Sequence, residues 1–155
     1  MIRKYSIELI SSLSCLILGM LSGLSVNPSE SDWYLNLIKP DFNPPSWVFG
    51  PVWTTLYLMM GFAFGMIIKN RDKNISLIII FILQMICNLA WSPLFFYFQR
   101  IDLALVNILA LLVFILMFLY FSRKDKIVMA LFIPYFLWVS FATILNYNIY
   151  ILNIL

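Results

Sequence analysis

Aromatic and amide side chains recur at helical spacing in this chain of 155 residues. Trp53 and Tyr57 are four apart. Asn88, Trp91, Ser92 and Phe95 follow the i, i+3, i+4, i+7 rule for one helix face, as do Trp138, Phe141, Ala142, Leu145 and Asn146. Asn107 adds a further amide. Indole and phenol rings offer flat apolar faces with one polar handle each, and a carboxamide both donates and accepts. Brought together, such groups suit a flat, hydrophobic ligand with few polar atoms. Acid–base or metal chemistry finds little support. The chain has no histidine, which removes the commonest metal ligand, the His-based hydrolases and a His axial ligand to haem iron. It also carries no phosphate loop, metal-binding cluster or nucleophile elbow.

The elements that must position these residues follow from composition. Hydrophobic residues make up 63% of the chain and charged residues 11%, against about 45–50% and about 25% in soluble domains. That is too little charge to coat a water-facing surface, which excludes a soluble enzyme, a disordered chain, a coiled coil and a secreted disulfide scaffold. The net charge of +3 does not point to nucleic acid, because the basic residues sit in short clusters between apolar runs rather than in a stripe. Cys15 and Cys87 both fall inside apolar runs and read as reduced, buried packing residues.

Crossing ~30 Å of hydrocarbon takes about 20 apolar residues, and five runs qualify: Ile7–Val26, Ser46–Ile68, Ile75–Phe98, Leu103–Phe121 and Ile127–Ile151. Outer-membrane strands would alternate with period two, so these runs are helices. The expected fold is an all-α membrane protein, residues 1–155 forming one bundle of five transmembrane helices. With a cytoplasmic N-terminus, the inner segments hold Arg3, Lys4, Lys69, Arg71, Lys73, Arg123, Lys124 and Lys126, and the outer ones only Lys39 and Arg100. The positive-inside rule then places the C-terminus and the long connection 27–45 outside. Arg3 and Lys4, the apolar run and Ser22-Gly23-Leu24-Ser25 also fit a cleaved leader. The length of the run and the Gly19/Gly23 spacing favour a retained helix. Gly61 and Gly65 repeat that spacing in the second span, for packing within the bundle or for dimerisation. Pro93 and Pro134 are expected to kink the third and fifth spans. Glu8 and Asp102 lie only at helix ends, so no ionisable group sits at mid-membrane to serve a proton relay or an ion-coupled pump.

At 1.5 Å per residue, Asn88 lies roughly 20 Å and Trp138 roughly 16 Å from the inner ends of their helices, and Trp53 about 10 Å from the outer end of its own. They converge on one cavity in the outer half of the membrane. Above it lies a connection rich in proline (Pro40, Pro44, Pro45, then Pro51 in the following helix) and in Trp33, Tyr34 and Trp47. Proline restricts φ, so this reads as a shaped lid rather than a loose linker. Tyr5, Tyr97, Tyr120 and Tyr150 read as interfacial anchors.

Several blocks of this sequence resemble the TspO/MBR family of tryptophan-rich sensory proteins and mitochondrial translocator proteins. They are Trp33-Tyr34, Lys39-Pro40, Pro44-Pro45, Trp47, Phe49, Pro51-Val52-Trp53-Thr54, Leu56-Tyr57 and Met60-Gly61, then Asn88-Leu89-Ala90-Trp91-Ser92, and finally Pro134-Tyr135 through Trp138, Phe141-Ala142-Thr143 and Leu145-Asn146-Tyr147. The resemblance covers nearly the whole chain. It implies a five-helix bundle, usually dimeric, that binds porphyrins, haem and synthetic hydrophobic ligands, with the first loop closing the pocket. By motif match the ligand-binding residues are Trp33 and Tyr34 in the lid, Trp53, Tyr57, Asn88 and Trp91, and Trp138, Ala142 and Leu145; Ile108 falls on the pocket wall, and Ser92 belongs to the Asn88 face. The cholesterol-recognition pattern of animal relatives is incomplete, since no basic residue follows Tyr147 or Tyr150.

The resulting expectation is a membrane-embedded binding protein or sensor for tetrapyrroles, needing no cofactor or metal and with porphyrin or haem as ligand, homodimeric in a bacterial cell membrane. The alternatives are a light- and oxygen-dependent porphyrin-degrading enzyme, with Trp53 and Trp138 as its catalytic residues, and a facilitated transporter of porphyrin or lipid.

Overall fold

The computed structural model describes residues 5–24, 32–69 and 71–154. Its elements are α1 (Ser6–Leu24), a short α2 (Asp32–Asn36), α3 (Ser46–Ile68), α4 (Arg71–Ser92) extended by a π-helical turn (Pro93–Tyr97), α5 (Ile101–Ser122) and α6 (Lys126–Ile154). All but α2 are long and apolar enough to cross a membrane. Around the bundle α1 packs on α3, α3 on α6, α6 on α5, α5 on α4, and α4 closes the ring against α1.

Local chemistry sets the ends. Asp125 precedes α6 and its Oδ1 accepts the backbone N–H groups of Ile127 and Val128, both at 3.1 Å, satisfying donors that the first helical turn leaves free. Asn74 breaks α4 with φ −119° and ψ 18°. The break aims its Nδ2 at the carbonyl of Ile67, 3.1 Å away, and so closes the C-terminus of α3. The regular part of α4 therefore begins at Ile75, where the hydropathy run begins. Pro93 does not simply bend its helix: its carbonyl accepts from Phe98 N–H at 2.9 Å in the i→i+5 pattern of a π turn. The chain then reverses through Gln99 at φ 53°. Pro134 lies inside an unbroken α6. The connection 27–45 is not all loop but contains the short helix α2, while its segment 27–31 lies outside the described residues.

The half of the bundle far from the lid is solid. Phe64 stacks on Phe81 at 4.0 Å and Phe118 on Phe132 at 3.8 Å between ring centroids, and Phe81, Phe118 and Phe132 are buried. There α1 and α3 also touch backbone to backbone. A Cβ on Gly61 would enter the main chain of Ser11 and Ser12, and one on Gly65 that of Glu8. The Gly61/Gly65 pair thus serves packing inside the chain, where close van der Waals approach is the main cohesive term between helices in lipid. At the end of this seam the buried Glu8 pairs with Lys69.

Gly61→Leu is expected to destabilise the protein by about 1–3 kcal/mol in mixed-micelle denaturation, because backbone cannot move aside as a side chain can. Gly23→Leu, whose Cβ would meet nothing within 4 Å, should stay within about 0.5 kcal/mol of the parent.

Candidate functional site

Towards the other end the same helices part around a cavity of about 440 Å³, within the ~300–1,000 Å³ range of small-molecule sites. Trp53 and Tyr57 reach it from α3, Asn88 and Trp91 from α4, Ile108 from α5 and Trp138 from α6. Ser92, Ala142, Leu145 and, from the lid, Tyr34 complete the set expected from sequence. Trp33 is the exception. Its indole stands edge-on to Phe95 at 5.6 Å and does not line the cavity. Two residues of the aromatic and amide pattern serve elsewhere: Asn107 donates to the carbonyl of Cys87 at 2.8 Å, a tie across the α4–α5 seam, and Phe141 packs on Phe42 at 6.3 Å.

The cavity floor is a chain of buried hydrogen bonds. Tyr57 Oη donates to Asn88 Oδ1 at 2.6 Å, Asn88 Nδ2 to Tyr135 Oη at 2.8 Å, and Tyr135 Oη to Gln84 Oε1 at 2.8 Å. Asn88 uses both halves of its carboxamide here, its oxygen accepting from Tyr57 and its NH2 donating to Tyr135. Gln84 and Tyr135 were absent from the expected site. Their signal was available, since Gln84 sits four residues before Asn88 and Tyr135 three before Trp138, on the same faces. Nearer the lid, Trp91 Nε1 donates to Asn146 Oδ1 at 3.0 Å and Asn146 Nδ2 to the carbonyl of Ile101 at 3.3 Å. Trp138 Nε1, by contrast, is buried without a hydrogen-bond partner among the described residues.

Rings dominate the rest. Trp53 stacks on Tyr57 at 5.5 Å, and Phe49 stands edge-on to Trp138 at 5.8 Å. Above them Tyr34 meets Phe96 at 5.3 Å, with the Lys39 ammonium 4.4 Å from its ring centroid. Burial pushes the Tyr34 phenol pKa up from its ordinary value. No group of three or more His, Cys, Asp or Glu residues able to hold a metal occurs among the described residues. Chemically, the arrangement can stack on a flat ring system and exchange a few hydrogen bonds at the floor.

Tyr135→Phe removes the central link and leaves both Asn88 Nδ2 and Gln84 Oε1 without a partner, so it should cost about 1–2 kcal/mol in thermal or denaturant melting. Tyr57→Phe, at the end of the chain, should cost less. Compared with known proteins, residues 11–152 match the TspO/MBR family. The chain is 40% identical to the tryptophan-rich protein TspO of Chlorobaculum tepidum, with 90% of each chain covered. It is 34% identical to the tryptophan-rich sensory protein of Cereibacter sphaeroides, over 85% of this chain and 82% of that one. Against the human translocator protein it is 32% identical, over 76% and 73%. A five-span apolar bundle and a match along nearly its whole length thus agree, and the chain belongs to the TspO/MBR family of tryptophan-rich sensory membrane proteins.

Proposed function

We propose that this protein captures tetrapyrroles such as protoporphyrin IX within the membrane, as a binding protein or sensor. One observation carries the reading: indoles from three different helices, Trp53, Trp91 and Trp138, border a single cavity whose remaining wall is mostly apolar. A macrocycle buries a large flat area, and ring stacking adds about 0.5–1.5 kcal/mol per pair. The floor stays neutral, which suits a ligand that leaves its charged groups towards the lid, where Lys39 stands over Tyr34. The basic residues Lys69, Arg71, Arg123, Lys124 and Lys126 cluster at the helix ends opposite the lid, which, for a protein of a bacterial cell membrane, supports an orientation with the N-terminus cytoplasmic.

A second reading rests on Trp53 and Trp138 sharing that wall. Under light and oxygen, indoles held against a bound porphyrin are placed to take part in its oxidative breakdown.

Titrating protoporphyrin IX in the dark while following Trp fluorescence should give saturable quenching. Trp138→Ala, which removes an indole from the cavity wall, should weaken it about tenfold, the worth of about 1.4 kcal/mol of ring stacking. Non-saturable quenching, equal in the variant, would remove the binding reading. Under aerobic illumination the degradative reading requires a new absorbing product that vanishes in Trp53→Phe or Trp138→Phe; bleaching at the protein-free rate excludes it.

A further inference from the structure

The lid is fastened, and the cavity is open elsewhere. Asn153 near the end of α6 accepts the Ile38 N–H at 2.9 Å and donates to the Ile38 carbonyl at 2.9 Å. One carboxamide thus pairs with both polar groups of a lid residue, as a neighbouring strand would. Its Nδ2 also reaches the carbonyl of Ile149 at 2.8 Å, which holds the amide in place. Trp33 and Tyr34 rest edge-on against Phe95 and Phe96. Lifting the lid means breaking all of these contacts together.

Among the described residues that border the cavity, the exposed ones come from two helices alone: Met20, Gly23 and Leu24 of α1, and Ser46, Gly50 and Thr54 of α3. Those contributed by α4, α5, α6 and the lid are buried or half-buried. The cause lies in the seam. At Gly61 and Gly65 the two helices touch, and at Gly19 the Tyr57 ring fills the space a side chain would need. Beyond that point the filler runs out: a Cβ on Gly23 or on Gly50 would meet nothing within 4 Å among the described residues. The result is a slot that runs from Ser46 down to Thr54, about 12 Å at 1.5 Å per residue. Its chemistry suits hydrocarbon. The Thr54 hydroxyl donates to the Gly50 carbonyl at 2.9 Å, so the depth of the slot exposes no unpaired side-chain donor to lipid.

We propose that this slot between α1 and α3 is the passage by which a lipid-dissolved ligand moves between the bilayer and the cavity, with the lid remaining fastened to α6. The proposal rests on the tetrapyrrole reading above and adds the route. The glycines keep the passage clear, and the Gly61/Gly65 clamp below sets how far it extends.

The test uses the full chain in lipid nanodiscs, protoporphyrin IX preloaded into empty nanodiscs or vesicles, and Trp quenching after rapid mixing. Gly23→Phe and Gly50→Phe place a ring in open space, and each should slow association and dissociation together by about tenfold. Asn153→Ala, which frees the lid from α6, should accelerate neither rate. Unchanged rates in both Phe variants, or a several-fold acceleration in Asn153→Ala, would overturn the passage and send the ligand through the lid. Faster dissociation in the Phe variants would also overturn it, by making these positions wall. Failure of the parent protein to saturate at all is a different result: it removes the tetrapyrrole reading, and the passage with it.

Discussion

A hydroxyl or amide stranded in hydrocarbon costs several kcal/mol, and the helices of this bundle meet around four such groups. Tyr57, Asn88, Tyr135 and Gln84 come from three helices, and each bonds across to another element, leaving only Gln84 Nε2 in the network without a partner among the described residues. None can be satisfied unless α3, α4 and α6 approach at one depth. The chain of bonds therefore fixes the relative height of those helices, and with it the height of Trp53, Trp91 and Trp138, which sit three or four residues from its members. The aromatic cavity is a consequence of that alignment. It lies on the lid side of the network because the other side is filled by stacked phenylalanines.

The pairing of α1 with α3 shows how one kind of residue can do opposite things. In lipid, apolar side chains gain nothing by leaving solvent for each other, so helices cohere where their backbones approach closely. Gly61 and Gly65 permit that approach, and Ser12 strengthens it by donating to the Leu58 carbonyl at 3.0 Å. Gly23 and Gly50 lie where the same two helices have been held apart by Tyr57, and there the missing side chain leaves a gap. Neighbours, rather than residue type, decide whether a glycine closes a seam or opens one.

At the lid, shape comes from several weak restraints acting together. Pro45 enters α3 at φ −57° and ψ 143°, α2 lays two aromatic rings on the π turn, and Asn153 ties Ile38 to α6. The π turn matters here because its extra residue turns both Phe95 and Phe96 towards the lid, Phe95 meeting Trp33 and Phe96 meeting Tyr34. At the same end Arg100 forms a two-pronged pair with Asp102, at 2.8 and 2.6 Å, which steadies the short link into α5.

The amino-acid sequence by itself determined the five spans, to within a few residues at each end, because burial in lipid demands long apolar runs and helices satisfy their own backbones. It also determined which faces carry the aromatic and amide groups, since helical periodicity is fixed, and the blocks that mark the family. What it left undecided are the meetings between helices far apart in the chain. Whether Asn107 joins a cavity or a seam, whether Trp33 faces a ligand or props up Phe95, and that Gln84 and Tyr135 extend the Asn88 network all depend on helix rotation and crossing. Those are set by contacts such as Gly61 on Ser12 and Tyr57 on Gly19, tens of residues apart, and no local periodicity encodes them. The Asn153 tie to Ile38 spans 115 residues, and only the folded bundle brings its two ends together.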